Sequence, residues 1–180
     1  MSEQGGAQTV ETLAQAAAEA DTLAMRGAER ELAQLRSEWD DEIEAAARSE
    51  DFRERAVSYK AIGQFRFRQK LELLKRGFDD ASPACRGSAL VSLELLSREH
   101  PGAINSVRSI LHVLASRDDN GAVRRLAILC LRNGSPQPDT LGMLAGMADD
   151  DSQEESLRSA ARTVVASLKR KASARGPKKN

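Results

Sequence analysis

Asp118-Asp119-Asn120-Gly121-Ala122-Val123-Arg124-Arg125-Leu126-Ala127-Ile128-Leu129-Cys130-Leu131 is the most informative run in this chain, because it has two counterparts elsewhere. Asp79-Asp80 leads to Arg86-Gly87-Ser88-Ala89-Leu90-Val91-Ser92-Leu93, and Asp149-Asp150-Asp151 leads to Arg158-Ser159-Ala160-Ala161-Arg162-Thr163-Val164-Val165. Each copy has an acidic turn, an Arg five to nine residues later, an Ala three beyond it and a Leu or Val four beyond that. The three arginines stand 38 and 34 residues apart, inside the period of stacked helical hairpins, whose units bury their apolar faces on one another. Aspartates ahead of a helix satisfy its unpaired N–H groups, and a small Ala lets a neighbouring helix approach closely.

The intervening segments continue the helical reading. Phe67, Leu71, Leu74 and Phe78 form one stripe, and Cys85, Ala89, Leu93 and Leu96 form the next after a Ser82-Pro83 start. His100-Pro101-Gly102 stops that helix, and Ile104, Val107, Leu111 and Leu114 make a third stripe. Val123, Ala127, Cys130 and Leu131 follow, with Asn133-Gly134 expected as a left-handed C-cap. Leu141, Leu144 and Met147 mark a short helix interrupted by Gly142 and Gly146. Ser152 to Glu155 has the form of a capping box, ahead of Leu157, Ala161, Val164 and Leu168.

Together the acidic turns, arginines and alanines resemble HEAT and related armadillo-like repeats over about residues 63–170. The resemblance implies an all-α fold, a short α-α superhelix of about three helical hairpins. It also implies that Asp79 or Asp80, Asp118 or Asp119, and one of Asp149 to Asp151 pair with Arg86, Arg124 and Arg158 as a structural ladder between neighbouring repeats.

Ahead of the repeats, residues 7–49 contain no Pro and are dense in Ala, Glu, Leu, Gln and Arg, which favours a long helix. Leu32, Leu35, Trp39, Ile43 and Ala46 keep a helical step, but Val10, Leu13, Ala17, Ala20 and Ala24 offer mostly Ala-sized contacts. Such a helix gains little alone. A long acidic arm over 7–50, with coiled-coil character in part, is therefore expected to dock on the repeats, on a second copy as a homodimer, or on a partner. The remaining boundaries are a disordered 1–6, a repeat domain over 51–170 and a disordered basic tail over 171–180.

The formal net charge of zero, 27 basic against 27 acidic residues, conceals unlike blocks. Residues 1–50 carry −8, 51–78 carry +5, 79–168 carry −3 and 169–180 carry +6. Neutrality excludes a uniformly basic nucleic-acid coat or a solvating acidic tail. All six aromatic residues lie between Trp39 and Phe78, so the C-terminal core must be aliphatic.

No constellation for chemistry emerges. His100 and His112 have no acidic residue at metal-ligand spacing on the same helix, and with Cys85 and Cys130 they give no zinc pattern. Both cysteines fall on apolar stripes, as buried free thiols of a reducing compartment do. Gly142 and Gly146 lack the Lys-Ser/Thr of a phosphate loop. No catalytic residue, metal or cofactor is expected, and the chain is expected not to be an enzyme. No run approaches the ~18 apolar residues of a membrane span, and Met1 to Val10 is polar, so a cytoplasmic protein is expected, or a nuclear one in a eukaryote.

Two surfaces remain as candidates. Stacked repeats would present Arg98, Arg125, Leu129 and Arg132 on one extended face suited to a protein partner, acidic by complementarity. Arg66, Arg68 and Lys70, interleaved with aromatics, and Lys169, Arg170 and Lys171 in the tail would instead suit nucleic acid. Against this stands the adjacent −8 block, a ready intramolecular partner for the cations of residues 53–76.

Overall fold

Gly27 divides the long helix expected over residues 7–50. Its φ of +68° is left-handed, a conformation open to glycine at no steric cost, and the chain turns there between α1 (Leu13–Met25) and α2 (Glu29–Ala46). Thr12 starts α1 with a capping box, its hydroxyl accepting from the Gln15 N–H while the Gln15 side chain accepts from the Thr12 N–H. The arm is thus a hairpin, and the continuous helix of the sequence reading is corrected. Both helices lie against α3 (Phe52–Gln64), and the buried Ser58 hydroxyl of α3 donates to the Ile43 carbonyl at 2.7 Å.

The computed structural model describes residues 12–174, all α-helical apart from turns and one 3-10 segment. After the 3-10 turn at Arg68–Lys70 come α4 (Leu71–Phe78), α5 (Pro83–Glu99), α6 (Gly102–Arg117), α7 (Gly121–Leu131), α8 (Pro138–Asp149) and α9 (Glu155–Ala174). The odd-numbered helices form a row in which α1 packs on α3, α3 on α5, α5 on α7 and α7 on α9, while α4, α6 and α8 each pair with the odd helix that follows. The aliphatic stripes supply the core: Leu93, Ile104, Leu111, Leu131, Val164 and Leu168 are fully buried.

The row is tightest where α3 meets α5. A Cβ on Gly63 would lie 2.5 Å from the Ser92 Cα, so only glycine permits this approach. The Ser92 hydroxyl accepts from the Gly63 N–H at 2.9 Å and donates to the Tyr59 carbonyl. The Cys130 thiol repeats the device one helix further, donating from α7 to the Leu90 carbonyl of α5 at 3.3 Å.

Several local expectations change. Phe67 precedes the 3-10 turn rather than opening α4 and is half-buried. Gly134 is not left-handed; a Cβ there would meet the Ile104 side chain at 2.7 Å, so close packing is its reason. Ser152 makes no capping box, because α9 starts at Glu155 and the Ser152 hydroxyl donates to Asp150. The basic tail begins later than residue 171, since α9 runs to Ala174. Residues 1–6 and 175–180 lie outside the described residues.

Candidate partner-binding surface

An arginine at the start of each odd helix from α3 onward organises the turns beneath the surface. Arg55 of α3 grips Asp80 with two hydrogen bonds of 2.8 and 3.0 Å and donates to the Ser49 and Glu50 carbonyls. Arg86 of α5 grips Asp118 with two bonds of 2.8 Å, reaches Asp119 at 2.7 Å, and donates to the Asp80 and Ala81 carbonyls. Asp80 and Asp118 each accept in turn from a backbone N–H two residues on, at 2.9 Å. The Arg55 hydrogen bond holds the Asp80 carboxyl below its ordinary pKa. Burial opposes ionisation of Asp118, and the Arg86 and Asn120 hydrogen bonds outweigh it, so its pKa is also lowered.

Later arginines depart from this arrangement. Arg124 of α7 reaches Gln153 at 2.7 Å, and Gln153 in turn donates to Asp150 at 3.0 Å, so a glutamine stands between guanidinium and carboxylate. Hydrogen bonds from Ser152 and Gln153 bring the Asp150 pKa down to about 2. Arg158 of α9 pairs with Asp151 of its own turn at 2.7 Å. Arg55 was invisible to the sequence alignment, because its own turn carries Ser49 and Asp51 instead of paired aspartates.

Further along α5 and α7 lie the residues expected to bind a protein partner. Arg98 of α5 pairs with Glu94 one turn earlier at 2.8 Å, and Arg132, just past α7, reaches the other oxygen of the same carboxylate at 3.4 Å. Their side chains keep 62% and 43% of their exposure, so one acid serves two accessible cations. Arg125 is exposed, and it shares a face of α7 with Leu129 and Arg132 by its spacing. Leu129 is half-buried against the core and contributes mostly packing. The sequence of α7, Gly121–Leu131, contains no carboxylate.

The basic segment meets a different environment. Arg66 donates to the Gly63 carbonyl at 2.7 Å and pairs with Asp21 of α1 at 2.9 Å. It holds a φ of +51° to do so. Lys70 is buried between Asp40 and Glu44 of α2, at 2.6 and 2.8 Å. Its ammonium loses solvation there, yet the two carboxylates more than offset this and raise its pKa. Arg68 remains exposed and donates to the His100 imidazole at 3.3 Å. On α9, Lys169 and Arg170 are exposed, whereas Lys171 donates to the Arg132 and Gly134 carbonyls.

A third surface had no clear signal in the sequence. Leu13 and Ala14 of α1, Trp39, Ala45 and Ala46 of α2, and Val57 of α3 line an open, largely apolar groove of about 880 Å³. No single helix contributes enough of it to stand out in a periodicity.

The histidines and thiols take structural positions. His112 lies 3.0 Å from the Thr140 hydroxyl, and burial with the nearby Arg108 lowers its pKa. Burial pushes the Cys85 and Cys130 thiols up, which keeps them protonated. No group of His, Cys, Asp or Glu suited to a metal ion occurs among the described residues, and none of their helices is long and apolar enough to cross a membrane. No protein-family model matches the chain, and no curated protein is similar to it in sequence.

Proposed function

We propose that this chain is a non-enzymatic protein-binding scaffold of HEAT-like helical repeats, which holds an acidic partner segment along α5 and α7 at Arg98, Arg125 and Arg132. The observation that supports this reading is the charge imbalance of that face. Arg98 and Arg132 share one carboxylate, Arg125 is exposed, and α7 carries no acid. A partner's carboxylates would complete pairs that the chain leaves half-made, and such complementarity sets specificity and association rate more than affinity. Free thiols kept buried suit a reducing compartment, and the scaffold is assigned to the cytoplasm on that ground. The test is capture of partners by the intact chain and by a variant with Arg98, Arg125 and Arg132 all changed to Glu. Loss of the same partners from a variant that melts like the wild type supports the assignment; unchanged capture removes it.

A second reading, association with nucleic acid, draws on exposed Arg68, Lys169 and Arg170. It no longer has Arg66 and Lys70, which neutralise carboxylates of the arm. Binding of this kind weakens steeply with salt. Affinity for duplex or single-stranded DNA or RNA that is absent, or insensitive to salt, eliminates it.

A further inference from the structure

The groove at the N-terminal hairpin is an open apolar surface among the described residues. Here α1 and α2 pack on α3 and leave Leu13, Trp39, Ala46 and Val57 lining an apolar groove. Val57 is 37% exposed, and Phe52, one residue from the groove-lining Arg53, is 44% exposed. These are two of the four exposed large hydrophobic side chains among the described residues. An apolar centre with a polar rim is the make-up of a protein–protein interface.

Its rim says what kind of partner fits. Arg53, Glu42 and Glu54 border the groove, and no ion pair forms at any of them within the described residues. Arg53 lies instead over the Phe52 ring, 5.5 Å from its centre. Other acids of α2 behave differently: Asp40 and Glu44 hold Lys70, and Glu44 also holds Arg48. The rim therefore offers unpaired charge of both signs around an apolar centre. A ligand of one sign would satisfy only part of it. A second copy related by a two-fold axis supplies both signs at once, because each Arg53 then faces a carboxylate of the other copy and the two apolar centres cover each other, one acid of each rim staying in solvent.

We infer that the groove is a self-complementary surface through which two copies of this chain associate, with Arg53 of each set against Glu42 or Glu54 of the other. Analytical ultracentrifugation of the full chain over a wide concentration range reads this directly. The wild type dimerises, and Val57→Glu, at an exposed position outside the core, weakens the dimer at least ~10-fold, as burying an unpaired charge in an interface requires. Arg53→Glu alone and the Glu42→Arg, Glu54→Arg double variant alone are each weakened as well. A mixture of these two restores association as a mixed dimer, since both rim pairings are then opposite in sign again. A wild type that stays monomeric throughout overturns the inference. So does a mixture that fails to associate, or a dimer that appears only once residues 1–11 are removed, which would make the chain's own N-terminal segment the occupant.

Discussion

Arg66 and Lys70 on one side, and Arg98, Arg125 and Arg132 on the other, are chemically alike but differ in how the fold uses them. Lys70 is buried between two carboxylates of α2, and Arg66 reaches Asp21 of α1. Arg98 and Arg132 divide a single Glu94, and Arg125 stays exposed. The difference lies in what packs beside them. The acidic hairpin lies on α3 and spends Asp21, Asp40 and Glu44 on the first group, whereas Glu94 is the one acid paired with the second among the described residues. Arg66 and Lys70 are thus less accessible than Arg98 and Arg125, while Arg53, Lys60, Arg68 and Arg76 of the same basic stretch stay exposed.

The most damaging way to break this comparison is to part the helices that carry the two groups. Gly63→Ala would drive a methyl into the Ser92 backbone, and with α3 and α5 forced apart the loss should be about 3 kcal/mol, seen as a lower urea midpoint. Removing an internal cation comes next. Lys70→Met leaves Asp40 and Glu44 without their shared partner, and about 2 kcal/mol should be lost, less than for a fully buried pair because both acids retain access to water. Acid should act on the same class of contact. The Asp80, Asp118 and Asp150 pKa values are depressed in the folded state. Their contribution is therefore complete above the unfolded carboxyl value, about pH 4, and is lost as pH falls toward 2. Thermal melts should already slip between pH 7 and 5, where the His112 imidazole takes up a proton in the unfolded chain before it does in the folded one, and decline further below about pH 4 as the aspartates protonate. Smallest of all is Arg125→Glu, which should leave stability within ~0.5 kcal/mol of the wild type, since the side chain is exposed and no ion pair forms at it within the described residues.

The helices were legible because their apolar stripes are regular: Ile104, Val107, Leu111 and Leu114 are all buried in α6. The turn arginines were legible in part. Arg86 meets Asp118, whereas Gln153 replaces the aspartate expected for Arg124, and spacing alone does not show which side chain will intervene. The arm misled because one glycine among good helix formers reads as tolerable, yet Gly27 is the residue that permits a left-handed turn. The groove was not legible, because Leu13, Trp39 and Val57 come from three helices and only packing brings them together. Pairing between Lys70 and the arm was anticipated from block charges, but its depth of burial depends on α2 lying across the segment.

The claim that Arg98, Arg125 and Arg132 are available to a partner, and that Arg66 and Lys70 are spent on the arm, can be tested with one defined probe. Fluorescence anisotropy of a labelled glutamate-rich peptide would be compared among the wild type, the Arg98, Arg125 and Arg132 reversal, and an Arg66→Gln, Lys70→Met variant. The account predicts that the reversal weakens binding at least ~10-fold, about 1.4 kcal/mol, while the second variant, where still folded, binds as the wild type does. Equal binding by the reversal, or a loss confined to the Arg66 and Lys70 variant, would contradict it.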